Sequence, residues 1–201
     1  MDLQKINVKF FVASPGGIRL ADFIEVFNSW IQRSEGEYYD VADYSHMQAG
    51  PGIVLVTHEA NIGMDNAGNR LGLLYNRKQA LHGSNAEKLH FVFRAALEFC
   101  QRVEKEPALK GKMRFQGQEA LFVVNDRLLA PNTEETFRAV RPELEALAAT
   151  LYGGNEFTLD HDGDPQQRFS VFIKTPRALD TDTLLKNLGS RGDRLVTVGA
   201  V

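Results

Sequence analysis

The chain has 201 residues, with 23 Lys plus Arg against 26 Asp plus Glu and a formal charge of -3. Hydrophobic residues make up 43% and charged residues 24%, the balance of an ordinary globular protein. These figures exclude a disordered tail, a fibrous repeat, a disulfide-stapled miniprotein and a membrane-spanning bundle, and they leave room for one large domain or two small ones.

In chain order, Ile6, Val8, Phe10 and Val12 alternate with Asn7, Lys9 and Phe11, the period-two signature of a strand over 6–12. Ser14-Pro15-Gly16-Gly17 breaks it. Leu20, Phe23, Ile24, Phe27, Trp30 and Ile31 then recur at helical spacing, so 18–33 reads as an amphipathic helix. A polar and aromatic loop, 34–52, leads into a buried strand at 53–57. Asp65-Asn66-Ala67-Gly68-Asn69 is turn chemistry, and 70–77 reads as the returning strand. Ser84 or Asn85 caps a second helix, 86–104, with Leu89, Phe93, Ala96, Cys100 and Val103 on its apolar stripe.

Short strands are expected at 112–116 and 120–125, with Gly117 as punctuation between them. Asn132 or Thr133, followed by Glu134 and Glu135, starts a third helix. Pro142 is expected to kink or restart it, and Gly153-Gly154 to end it. Residues 156–161 and 168–174 form a hairpin, Asp180 caps a short helix ending at Gly189, and 194–198 is the last strand. The order is β-α-β-β-α-β twice over. It predicts a tandem ferredoxin-like α+β protein. The modules would be 1–117, lengthened by the 34–52 loop, and 118–201. One continuous mixed sheet with helices on one face is the alternative.

Charge is distributed unevenly between these halves. Residues 1–117 carry 14 basic and 13 acidic groups, and 118–201 carry 9 and 13. The densest positive stretch, Lys105, Lys110, Lys112 and Arg114, is interrupted by Glu104 and Glu106 and reads as a solvated face. Neither half is basic enough to neutralise a phosphate backbone, so no nucleic-acid partner is expected. The start, Met1-Asp2-Leu3-Gln4-Lys5, lacks the features of a signal peptide, and no window reaches the ~20 apolar residues of a membrane span. A single cysteine requires no oxidising compartment, and the expected location is cytoplasmic.

Chemistry is concentrated in Tyr38-Tyr39-Asp40-Val41-Ala42-Asp43-Tyr44-Ser45-His46. Asp43, three residues before His46, could orient the imidazole as a general base, with Tyr44 donating to a ligand. His58 at the end of a strand, and Arg70 and Arg77 flanking another, are candidate ligand-binding residues for an anionic group. Together these residues suggest a small-molecule pocket built by the 34–52 loop and the adjacent sheet. They do not decide between a binder and an enzyme, and they name no cofactor.

No spacing matches a zinc signature, so no metal ligands are assigned among His46, His58, Glu59 and His161. Asp160 to Asp164 resembles a calcium loop but has Pro165 where the glycine belongs, and it reads as a turn. Ser14 to Gly17, with Arg19, is a weak anion cradle. Cys100 lies on an apolar stripe and is expected to be inert. The competing reading is a non-catalytic homo-oligomeric assembly or partner-binding protein, since open sheets leave edges that self-associate.

Overall fold

The alternating run at the start of the chain is strand β1 (Ile6–Val12), and it occupies the interior of a sheet. The computed structural model describes residues 1–13, 17–47, 50–109 and 111–189. After β1 come helix α1 (Asp22–Arg33) and strands β2 (Tyr38–Tyr44), β3 (Gly52–Thr57), β4 (Ala60–Asp65) and β5 (Gly72–Arg77). Helix α2 (Asn85–Lys105), strand β6 (Phe115–Val124) and helix α3 (Glu134–Leu151) follow. Strands β7 (Thr158–His161) and β8 (Ser170–Lys174) and helix α4 (Thr181–Leu188) complete the described elements. The eight strands form one sheet in the order β2-β3-β4-β5-β1-β6-β8-β7, and every pairing in it is antiparallel.

The architecture is α+β with a single sheet, which corresponds to the alternative reading and corrects two features of the modular one. First, the strands expected at 112–116 and 120–125 are one strand of 10 residues, β6. It pairs with β1 on one side and β8 on the other, so hydrogen bonds run unbroken across the expected boundary. Gly117 lies inside β6 and is buried, where its N–H donates to the Leu179 carbonyl at 3.0 Å. Secondly, the expected 34–52 loop contains β2, paired to β3 from Tyr38–Thr57 to Tyr44–Gly52. An edge strand buries little, and here only Tyr38, Val41 and Ala42 are even half-buried. That removes the alternation by which a strand is recognised in sequence. Strand β4 was also unexpected, because Ala60, Asn61 and Gly63 have low strand propensity.

Helices cover one face. Phe10 of β1 meets Phe93 of α2 edge to face at 6.2 Å, and Trp30 of α1 lies 6.3 Å from Phe99 of α2. Helices α3 and α4 pack against α2 and against each other. Ser84 and Glu87 form a reciprocal capping box at the start of α2, while Thr133 and Asp180 cap α3 and α4. Helix α3 continues through Pro142. Both Pro142 and Arg138, the residue whose carbonyl loses its donor, are exposed, and water can take the place of the missing N–H. The expected strand at 194–198, Ser14 to Gly16 and Lys110 lie outside the described residues.

At the C-terminal end of α3, Tyr152 is fully buried and donates from its hydroxyl to the Ile173 carbonyl at 2.9 Å. Burial, and then the charge of Glu119, hold this phenol well above its ordinary value of 10. The unfolded chain releases the proton near pH ~10 while the folded chain keeps it, so stability falls as pH rises past that point. Wild type is therefore expected to lose more urea stability than Tyr152→Phe between about pH 8 and pH 11. At neutral pH the variant should cost only about 1 kcal/mol, the worth of one hydrogen bond. Equal losses would show that the folded chain ionises this phenol as readily as the unfolded one.

Candidate functional site

Helix α2 has a second stripe beside its core stripe. Phe91, Ala95, Phe99 and Arg102 recur at spacings of four and three, and this face turns toward β4 and β5. Ala95 is too small to reach the sheet, and a cleft of about 630 Å³ remains between α2, the start of β2 and the β3–β4 turn. Its floor is Ile62 and Tyr75, both buried, and its walls include Tyr38, Phe91 and Phe99. The rings of Tyr75 and Phe99 are 6.3 Å apart and inclined by 33°.

Arg102 supplies the positive charge. Its guanidinium sits 4.0 Å over the Trp30 ring and 5.3 Å from the Tyr38 ring, and it donates to the Tyr38 hydroxyl. Glu37, Glu59 and Glu98 also line the cleft. Trp30 is itself held in place by donating from Nε1 to Glu106 at 2.8 Å. Behind the opposite wall, Arg77, with its side chain 2% exposed, donates at 2.6 Å to Glu59, which lines the cleft, and lies 5.5 Å from the Phe91 ring.

The turn that closes the cleft is built locally. Thr57 Oγ1 accepts from the Ala60 N–H at 3.0 Å and donates back to the Ala60 carbonyl at 2.8 Å, which fixes a tight β3–β4 connection. His58 is therefore a turn residue, exposed at the cleft rim, and strand alternation does not set its direction.

The six residues singled out from sequence do not converge. His58 lies at the rim of this cleft, and Arg77 lies outside its lining, 5.5 Å from the Phe91 ring. Asp43 and His46 lie at the far end of β2, about 20 Å along the strand from Tyr38. Both are exposed, and Asp43 accepts the Ser45 N–H at 2.8 Å. Hydrogen bonds from the hydroxyl and backbone of Ser45, with a smaller effect of the His46 charge, hold the Asp43 carboxyl below its ordinary range. This is turn geometry, and neither residue lines a described cavity.

Tyr44 points to the opposite face of the sheet and lines a hollow of about 220 Å³ there. Arg70 lines a third depression of about 410 Å³ but already donates through both Nη atoms to Glu119, with its guanidinium 3.8 Å over the Phe11 ring. Sequence reasoning named Tyr38 without giving it a role and missed Tyr75, Phe91, Phe99 and Arg102. The available signal was that Phe91 and Phe99 lie off the core stripe of their helix yet are large and apolar.

Among the described residues, no group of three or more His, Cys, Asp and Glu is arranged to hold a metal ion, and no helix is long and apolar enough to cross a membrane. Cys100 is fully buried, and burial pushes its thiol well above the ordinary range. Comparisons with protein-family models, curated proteins and solved structures find no match to this chain.

Proposed function

We propose that this chain binds a small, planar, largely apolar anion in the cleft between α2, β2 and the β3–β4 turn. The observation that carries this reading is an aromatic-walled cleft whose arginine lies over an indole and donates to a phenol. Such a guanidinium keeps donors for an incoming anion, while stacked rings accept a flat molecule face-on. Burying ~150 Å² of ring surface contributes about 4 kcal/mol. A hydrogen bond to the charged arginine adds about 1.5–3 kcal/mol.

The reading is one of binding rather than catalysis, because Asp43 and His46 stand apart from the cleft. It treats β1 to β6 as one βαββαβ unit widened by the β2–β3 hairpin, followed among the described residues by α3, β7, β8 and α4. The cleft then lies where that widening meets α2.

Trp30, the single tryptophan, is a built-in reporter beside Arg102. Titration with anilinonaphthalene sulfonate, a flat aromatic anion, is expected to quench Trp30 saturably as probe emission rises. Arg102→Leu should weaken that binding roughly ten- to a hundredfold, the equivalent of the lost charged hydrogen bond. Asp43→Ala and His46→Ala should leave the titration unchanged. A titration insensitive to Arg102→Leu, or one abolished by His46→Ala, would overturn the assignment.

A further inference from the structure

The stretch from Tyr38 to His46, the most chemically loaded in the sequence, lines the cleft only with Tyr38 and Tyr39, and as β2 it ends the sheet. Among the described residues β3 is its one strand partner, so its outer side presents a row of backbone N–H and C=O groups. A register shift lies between Tyr38 and Asp40, but from Asp40 to Tyr44 the pairing is regular. Lysine, proline and shortness commonly protect such edges, and this strand of 7 residues has none of them. We propose that this edge docks an extended, basic segment of another protein, which joins the sheet as an added strand.

Charge selects the occupant. Between Arg33 and Arg70 the chain has no lysine or arginine, against Glu35, Glu37, Asp40, Asp43, Glu59 and Asp65. Glu59 pairs with Arg77 and Asp65 with Lys9. The other four, on β2 and just before it, are exposed and enter no ion pair among the described residues. A second copy pairing edge to edge would bring these carboxylates together, and like charges directly opposite destabilise a strand pair. A phosphate polymer is repelled in the same way. A strand carrying Lys or Arg is attracted where both of these are turned away.

Apolar exposure is concentrated at the same place. Among the described residues the large apolar side chains left exposed are Met1, Tyr39, Tyr44, Met47 and Leu128, and the middle three lie on β2 or in the turn after it. Tyrosine and methionine are enriched where proteins meet. Ala42 and Tyr44 also line the hollow of about 220 Å³, with Val54 and Val56 of β3 beside them, so one apolar side chain of an added strand can settle there.

Register gives the partner a pattern. Ala42 and Asp40, paired with Val54 and Val56, share the helix-free face, while Asp43 and Val41, paired with Ile53 and Leu55, share the other. Antiparallel addition continues the pairing found throughout this sheet and is the more stable kind per residue. Such a neighbour places a cation opposite Asp43, an apolar residue opposite Ala42 and a second cation opposite Asp40. In its own sequence that is basic, apolar, any residue, basic. The two cations then lie on opposite faces of the strand, as Asp43 and Asp40 do. Asp40 accepts the Val41 N–H at 2.8 Å, an exposed bond that the carbonyl of an added strand can take over.

Asp40 and Asp43 lie outside the cleft lining, so the edge and the cleft stand or fall separately. The probe is a fluorescein-labelled decapeptide with Lys-Val-Thr-Arg at its centre and threonine elsewhere, and its anisotropy should rise saturably on titration with the chain. Asp40→Asn combined with Asp43→Asn should weaken this binding about tenfold, the worth of two exposed ion pairs. Asparagine keeps an acceptor for the Ser45 N–H, so the turn after β2 is retained. Alternate N–H groups of an added strand face its neighbour. N-methylation of one alternate set in the peptide should therefore abolish binding, while methylation of the other set leaves it intact. Failure of the basic peptide to bind, binding that survives the paired substitutions, binding by both methylated forms, or a dimer of the chain that the peptide dissociates would overturn the proposal.

Discussion

Replacing Asp65 by alanine is expected to lower stability by about 3–5 kcal/mol, the range for removing one partner of a buried ion pair. Lys9 and Asp65 are paired on the helix-free face with side chains 4% and 8% exposed. Asp65 also accepts the Ala67 N–H at 3.2 Å, so its loss loosens the following turn as well. Burial already holds the Lys9 ammonium below its ordinary value, with Asp65 offsetting part of that effect. Without Asp65 the ammonium has lost its counter-charge and cannot reach water.

The reverse experiment separates the pair from the charge. In Lys9→Met with Asp65→Leu both charges go and the volume stays, and the double variant should lie within about 1–2 kcal/mol of wild type, since apolar isosteres often replace a buried pair without penalty. The Asp65→Ala deficit should also shrink in alkaline solution. Where folded Lys9 has given up its proton and unfolded Lys9 has not, the unfolded state binds more protons and stability rises with pH. Urea denaturation at one fixed protein concentration, at neutral and alkaline pH, measures both effects. A deficit below about 1 kcal/mol, typical of exposed pairs, would mean that water reaches Lys9.

The second large effect is expected at Gly117. A methyl group built there runs into the carbonyl of Leu179 and comes within 3.0 Å of a Leu184 methyl. The obstacle is backbone, held by the Gly117 N–H bond to the same carbonyl, and it cannot turn aside as a side chain would. Gly117→Ala should therefore cost about 3 kcal/mol, the upper end for overpacking a tight site, and lower Tm by about 6–12 °C in a chain of this size. Gly163→Ala is the control. A methyl there meets only a ring carbon of His161 at 3.7 Å, ordinary contact, and the change should be neutral to within ~0.5 kcal/mol. Scanning calorimetry of the two variants decides. A tolerated Gly117→Ala would mean that the segment around Leu179 shifts freely against β6.

These glycines show where sequence reasoning reached and where it stopped. Gly117 was noticed, but as punctuation, because a glycine in sequence does not reveal whether it marks a turn or a close approach of backbones. The core stripe of α2, the caps at Ser84, Thr133 and Asp180 and the stop at Gly153-Gly154 were readable, since each depends on residues within one or two helical turns. Strand β2 was not, because its partner β3 defines it and its own side chains are mostly exposed.

The candidate site follows the same division. Of the residues picked by type, His58 lies at the cleft rim and Arg77 lies outside its lining, behind Phe91, while Asp43 and His46, picked by spacing, are exposed at the far end of β2. Arg102 could not be singled out in sequence, because its role depends on Trp30 and Tyr38, which are 72 and 64 residues away in the chain.

What the sequence by itself determined is local: an α+β chain, the helices and their buried stripes, strands β1, β3, β5 and β8, and near-neutral charge. What only the tertiary structure decided is how distant segments meet. It joined two expected strands into β6 and so made one sheet of two modules, drew the cleft together from α2, β2, β4, β5 and the β3–β4 turn, and left the opposite sheet face uncovered by any described helix. The physical reason is range. Helix periodicity and capping are written in neighbours a few residues apart, whereas strand order, cavity walls and close backbone approaches arise from contacts whose partners no local pattern names.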